Sequence, residues 1–183
     1  MEFRKNDLVT LEIEDCGVDG EGIGKTDGFT VFVKDAVIGD TIKAKIIKAK
    51  KHYGYGRLVE VIKPSPYRTK PKCAFARQCG GCQLQALSYD RQLVFKTNKV
   101  RGHLERIGGF TDIPMEPIIG MDEPYHYRNK AQFPVGRNKE GKIITGFYAG
   151  RTHTIIENRD CALGIPQNKE VLDRVISHME KYN

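Results

Sequence analysis

No run of apolar residues in the 183-residue sequence approaches the ~20 needed to cross a bilayer as a helix. The segment from Met1 to Asp7 is charged and has no apolar centre, so it does not read as a secretory leader. A cytoplasmic location with no membrane partner is expected, and there thiols stay reduced. Acids are nearly missing between residues 41 and 77, where eleven Lys or Arg face Glu60 alone. That stretch carries +10 in a chain whose total is +7, so the remainder sums to −3. The five cysteines are odd in number and clustered, which excludes a disulfide framework as the first reading.

Other motifs are missing as well. Gly20-Glu21-Gly22-Ile23-Gly24 is not G-x-G-x-x-G, and a strand rather than a helix follows it. Without a helix N-terminus there is no dipole to hold a phosphate, so these glycines read as structural, at tight turns or bulges. Only one C-x2-C pair is present, so the familiar double pair of a zinc site is incomplete. Neither C-x2-C-x2-C nor C-x3-C-x2-C occurs.

What is present begins with period-two alternation over residues 7–15, where Val9, Leu11 and Ile13 share one face. Further strands are expected over 29–34, over 41–48 with Ile42, Ala44 and Ile46 inward, and over 56–62. Four or five short strands with no helical stretch predict a small antiparallel barrel over residues 1–64. Pro64, Pro66 and Pro71 mark a linker. The second domain, 67–167, is expected to be a small α/β domain with an antiparallel sheet and one long helix, so the fold class is β barrel plus α+β. Its helix spans 88–107, with Ser88 as cap, Asp90 in the first turn and Gly108-Gly109 as the stop. The stripe Leu93, Val100, Leu104 and Ile107 reads as core packing. A strand is expected over 125–135, a hairpin turn at 138–141, and strands over 143–148 and 153–158. Residues 168–183 read as the start of a helix whose apolar face needs a partner.

Two surfaces suit nucleic acid. Clustered cations neutralise phosphates and interleaved tyrosines offer stacking faces. On this ground Lys48, Lys50, Lys51, Tyr53, Arg57 and Arg68 are candidate RNA-binding residues, with Tyr55 and Tyr67 in the same stretch. The 125–135 segment sets Arg128, Lys130 and Gln132 on its polar side. Two readings stand for that side: an edge strand that uses lysine against aggregation, or a second RNA-reading surface.

The cysteines point to bound metal. Cys73, Cys79 and Cys82 lie within ten residues, with Gly80 and Gly81 letting the backbone curl close, and 78 residues separate Cys82 from Cys161. Thiolate sulfur suits zinc and iron–sulfur centres. By spacing alone a zinc ion comes first, an iron–sulfur cluster second, and redox or coincidental thiols third. Four cysteine ligands would leave no open coordination position, which implies a structural or electronic role. Cys16 reads as a free thiol packed in the barrel.

Cys73-x5-Cys79-Gly-Gly-Cys82-x-x-Gln85 with a distant Cys161 resembles the iron–sulfur signature of the bacterial 23S ribosomal RNA (uracil-5-)-methyltransferases. Residues 20–24 through Val31-Phe32-Val33, Gly39 and Pro64-Ser65 are similar to the OB-like TRAM domain that opens many of these enzymes. Leu87-Ser88-Tyr89, Tyr127-Arg128-Asn129-Lys130, Gly146-Phe147 and Asp160-Cys161 match the expected central domain. The resemblance implies that Cys73, Cys79, Cys82 and Cys161 hold a [4Fe–4S] cluster. It implies a monomer that binds 23S ribosomal RNA. It also implies that S-adenosylmethionine and the chemistry belong to a C-terminal Rossmann-like domain not found in these residues. There a cysteine adds to C6 of a flipped-out uracil, which turns C5 into an enolate carbon nucleophilic enough to take the methyl group. No residue here is assigned a catalytic role, and this chain alone is expected to be inactive. The alternative is a stand-alone RNA-binding module with a four-cysteine zinc site.

The charge distribution sets a first test. With roughly five phosphate contacts, affinity for single-stranded RNA should fall about 100-fold between about 50 and 200 mM salt. A flat titration by fluorescence anisotropy would remove the basic stretch from the interface.

Overall fold

A computed structural model of the chain describes residues 3–182. Packing divides the chain into two compact units, each made of two segments. One unit runs up to Lys70 and includes Ala86–Gly120; the other joins Pro71–Gln85 to the chain from Met121 onward. The expected sequential division, 1–64, 67–167 and 168–183, put the long helix in the second domain, whereas packing groups it with the barrel.

The first unit is a closed barrel of β1 (Leu8–Cys16), β2 (Gly22–Thr26), β3 (Phe29–Lys34), β4 (Thr41–Ala49) and β5 (Tyr53–Lys63), ordered β1-β2-β3-β5-β4. Alternation dictates its interior, because side chains two apart share a face. Val9, Leu11 and Ile13, Phe29, Val31 and Val33, and Ile42, Ala44 and Ile46 fill it. Pairing is antiparallel except between β3 and β5, which run parallel. A parallel pair needs a long crossover, and the segment between Lys34 and Tyr53 supplies it by carrying β4.

The glycine run is partly a strand, not only turns. Gly22 and Gly24 face the barrel interior on β2, where β1 passes close. A Cβ at Gly24 would lie 2.4 Å from the Glu12 carbonyl oxygen and from Leu11 Cδ1, so no larger residue fits there.

Asp40, fully buried, ties the barrel to the chain that leaves it. Its carboxylate accepts the N–H of Val37 at 2.7 Å and of Ser65 at 2.9 Å, and the Nε–H of Arg68 at 3.0 Å. Arg68 also donates to the Asp35 carbonyl at 2.8 Å. Burial alone would push the Asp40 pKa up, but the Arg68 and backbone hydrogen bonds outweigh it and hold the carboxyl below its usual range.

Helix α1 (Tyr89–Arg106) begins after Ser88, which occupies the cap position without a side-chain cap bond. The Gln92 side chain instead donates to the Leu87 carbonyl at 2.9 Å. At the other end the N–H groups of Ile107 and Gly108 both reach the His103 carbonyl, and Gly109 takes φ +68°. The apolar stripe is not core: no α1 residue is buried, Val100 is 52% exposed and Ile107, just beyond the helix, 81%. Polar anchors hold the helix to its own unit. Arg91 donates to the Tyr67 hydroxyl and stacks 3.6 Å over that ring, and Lys99 donates to the Val18 carbonyl at 2.9 Å.

The second unit contains β6 (Val135–Arg137), β7 (Ile143–Tyr148) and β8 (Ile155–Glu157), antiparallel in that order, with α2 (Gln167–Tyr182) packed on β7. Asn138 shapes the β6–β7 turn by accepting the N–H of Glu140 and Lys142, and Gly141 takes φ +80°. The strand expected over 125–135 is absent until Val135. His126 adopts φ +55°, which breaks an extended run, and the segment instead bonds residues 162–164: His126 N–H to the Ala162 carbonyl and Arg128 N–H to the Leu163 carbonyl.

Removing the Asp40 carboxylate should be costly, because Arg68 and two N–H groups would lose their acceptor. Asp40→Ala is expected to destabilise the chain by about 3 kcal/mol in urea unfolding at neutral pH. Because the folded pKa lies below the unfolded value near ~3.9, the pair's stabilisation is complete above about pH 5 and is lost as pH falls below ~4. Asp40→Asn should flatten that acid limb.

Candidate nucleic-acid interface and thiol centre

The outward face of the barrel follows from its inward one. Val31 and Val33 of β3 point to the core, so Thr30, Phe32 and Lys34 point out. Parallel register sets Thr30 beside Tyr53, Phe32 beside Tyr55, and Lys34 beside Arg57. On the other side of β5, Tyr55 meets Lys48 and Arg57 meets Lys45. Three rings therefore cluster on one surface: Phe32 to Tyr55 at 5.6 Å, Phe32 to Tyr53 at 6.0 Å and Tyr53 to Tyr55 at 5.9 Å between centroids. Lysines and an arginine border them. Cations hold a phosphate backbone while ring faces stack bases, and this arrangement puts both on one sheet.

Lys48, Lys50, Lys51 and Arg57 are exposed, and Tyr53 is 39% exposed. Lys50 and Lys51 sit in the β4–β5 connection, where the Lys50 N–H bonds the Tyr53 carbonyl at 2.8 Å. Arg68 belongs elsewhere: its guanidinium is committed to Asp40 and Asp35, so it is a strut of the fold and not a surface cation. Phe32 was not among the sequence candidates, although its place between inward Val31 and Val33 already marked it as an outward aromatic. In the second unit Arg128, Lys130 and Gln132 are exposed. They lie on a non-strand segment, and the Arg128 side chain turns back to the Lys130 carbonyl at 3.3 Å, so they do not form a row of donors in register.

The second unit also assembles the thiols. Residues 73–82 fold in tight turns, with the N–H of Ala76 bonded to Cys73 and that of Cys79 to Phe75. The Gly80 N–H pairs with the Tyr148 carbonyl at 3.0 Å, which lays the turn against the end of β7. Cys161 enters from the loop after β8. Burial first, then the nearness of the other sulfurs, pushes the Cys82 thiol up, with Cys79, Cys161 and Cys73 all within electrostatic reach. Cys73 is raised likewise, by burial and then by Cys161 and Cys79. N–H donors face these sulfurs: Gly81 reaches Cys79 Sγ at 3.3 Å and Asn158 Nδ2 reaches Cys73 Sγ at 3.9 Å.

Among the described residues, no three His, Cys, Asp or Glu side chains converge as ligands of a single metal ion. Cys73, Cys79, Cys82 and Cys161 nevertheless lie within electrostatic reach of one another, with N–H groups directed at two of the sulfurs, and thiolate sulfur suits zinc and iron–sulfur centres alike.

Cys16 ends β1 and lines a cavity of about 490 Å³ with Val18, Leu87, Val94 and Phe95. Its thiol is not in the barrel core; it bonds the Gly17 carbonyl at 3.7 Å. Burial, then the Glu21 and Asp15 carboxylates, push it up to about 12.

Residues 3–59 match the TRAM domain. An uncharacterized RNA methyltransferase of Halalkalibacterium halodurans is 47% identical over 93% of this chain, and one of Clostridium tetani 43% identical over 98%. Over nearly all of its length the chain is therefore similar to RNA methyltransferases, and its residues 3–59 form a TRAM domain. It spans 37% and 39% of the length of those two relatives. Among solved structures, the tRNA (uracil-54, C5)-methyltransferase of Pyrococcus abyssi is 25% identical, with a TM-score of 0.58 over 94% of this chain and 37% of that one. The barrel with the aromatic surface is thus the TRAM domain, and the thiols lie in the segment that follows it.

Cys16 should be nearly inert to alkylation. A thiol with a pKa near 12 holds on the order of a thousandth of the thiolate of an ordinary cysteine at pH 8. Mass spectrometry after brief iodoacetamide treatment should find Cys16 unlabelled in the folded chain and labelled after denaturation.

Proposed function

We propose that this chain is the RNA-recognising part of an S-adenosylmethionine-dependent methyltransferase that modifies C5 of uridine in 23S ribosomal RNA. The observation that carries this reading is the surface of Phe32, Tyr53 and Tyr55 bordered by Lys45, Lys48 and Arg57 on a TRAM barrel. A uracil must leave its stack before C5 can react, so the enzyme needs a partner for unpaired bases near the target. Ring faces serve every base, and the cations supply affinity without sequence preference.

On this reading Cys73, Cys79, Cys82 and Cys161 hold a [4Fe–4S] cluster that braces the second unit, and the exposed Arg128, Lys130 and Gln132 offer further contacts to RNA. The cluster, when bound, supplies a rigid cross-link between residues 73–82 and 161; it takes no part in methyl transfer. Binding of S-adenosylmethionine and addition to C6 belong to parts of the enzyme outside these residues. The protein acts as a monomer in the cytoplasm. A second reading, with transfer RNA as substrate, is favoured by the likeness to the Pyrococcus abyssi enzyme. Counting 5-methyluridine by mass spectrometry in ribosomal and transfer RNA, from cells with and without the gene, separates the two.

The aromatic surface is tested by Phe32→Ala with Tyr55→Ala. At about 1–3 kcal/mol per stacked base, the double variant should bind unpaired RNA roughly 10- to 100-fold more weakly, with duplex RNA much less affected. Lys48→Ala, Lys50→Ala and Lys51→Ala together should weaken both and reduce the salt dependence. Unchanged affinity in the double variant, with folding verified by circular dichroism, would sink the assignment.

A further inference from the structure

Two carboxamides flank the thiols, Asn158 buried and Gln85 half-buried. Asn158 is 4% exposed. Its Oδ1 accepts the Asp160 N–H at 3.1 Å, while its backbone N–H bonds the Thr145 carbonyl at 3.1 Å. Within a carboxamide only the oxygen can accept a backbone N–H, so the turn decides which way the amide faces. Nδ2 is left pointing at Cys73 Sγ, 3.9 Å away and 85 residues distant in sequence. Gln85 lies beside the same cysteine. Its Oε1 accepts the Cys73 N–H at 3.1 Å, and its side chain lies within electrostatic reach of Cys82.

The chemistry of sulfur gives these placements meaning. A neutral thiol is a weak acceptor, and a buried carboxamide N–H gains little from one. A thiolate is a strong, charge-assisted acceptor. Donors aimed at sulfur are therefore matched to the ligated, anionic form of these cysteines. Cys73 is held twice, at its N–H by Gln85 and at its sulfur by Asn158, and the Gln85 side chain lies near Cys82.

We infer that Asn158 and Gln85 are positioning residues of the thiol centre, orienting the Cys73 and Cys82 sulfurs and setting the stability and reduction potential of the cluster they hold. The inference rests on the cluster reading above. Hydrogen bonds to ligand sulfur favour the more negative, reduced state, so losing one should make the potential more negative. Ligand-supporting contacts of this kind typically carry 10- to 100-fold in metal retention.

The test uses the whole chain, purified without oxygen. In the unaltered protein iron and acid-labile sulfide are quantified first; the absence of both overturns the cluster reading and this inference with it. Given a cluster, Asn158→Ser keeps an oxygen for the Asp160 N–H but cannot reach the sulfur. It should lose iron to a chelator roughly 10-fold faster and show a more negative midpoint potential. Asn138→Ser removes an asparagine with the same turn-forming role on the β6–β7 hairpin and should change neither. If Asn158→Ser matches the unaltered protein in both measurements, or if Asn138→Ser shifts them equally, the inference fails while the cluster stands. Should Asn158→Ser load no iron, Gln85→Glu, which keeps the acceptor for Cys73 and loses the donor, decides by the same two readouts.

Discussion

A single buried carboxylate organises the unit that carries the aromatic surface. Asp40 has no solvent exposure and no spare valence: Val37 and Ser65 donate to it from the backbone and Arg68 from its guanidinium. Each partner belongs to a different piece of chain. Val37 lies in the β3–β4 turn, Ser65 just past the end of β5, and Arg68 on the strand-like linker that bridges to Leu87 ahead of α1. A charge can stay in such a place only if its hydrogen-bonding capacity is filled. The exit of the chain from the barrel is therefore determined by the needs of one side chain.

From that frame the outer surface follows by geometry. Closing a five-stranded barrel with its branched residues inside forces Phe32, Tyr53 and Tyr55 outward and together, since β3 and β5 run in parallel register. The rings cover one another in part, which limits the cost of exposing them, and the bordering lysines keep the patch soluble. The same alternation that builds the core thus builds the surface proposed to meet RNA.

The thiol centre obeys a different constraint. Burial first, and then the nearness of the other sulfurs, pushes the Cys73 and Cys82 thiols up. Such a set is stable as thiolates only when positive charge and N–H donors compensate, and Gly81 and Asn158 already supply donors. Around Cys16, burial and then the Glu21 and Asp15 carboxylates oppose ionisation and outweigh the opposing pull of Lys99.

Much was legible in the sequence, because alternation and turn chemistry are local. The strands of Val9, Leu11 and Ile13 and of Ile42, Ala44 and Ile46, the hairpin at Asn138, and the extent of α1 all read directly from neighbouring residues. The glycine run misled in part, since a close approach between β1 and β2 looks the same in sequence as a chain of turns. Residues 125–134 misled for the opposite reason: their period-two pattern is sound, but one left-handed residue, His126, spoils the strand. Arg68 had the charge of an RNA contact, and only the long-range approach of Asp40 turned it inward. Sequence by itself determined which residues could line a barrel, carry positive charge or ligate through sulfur, since those are properties of side chains and their spacing. Only the tertiary structure decided that Phe32 joins the tyrosines, that Arg68 leaves the surface, and that Asn158 meets Cys73, because each depends on partners brought together by closure of the fold.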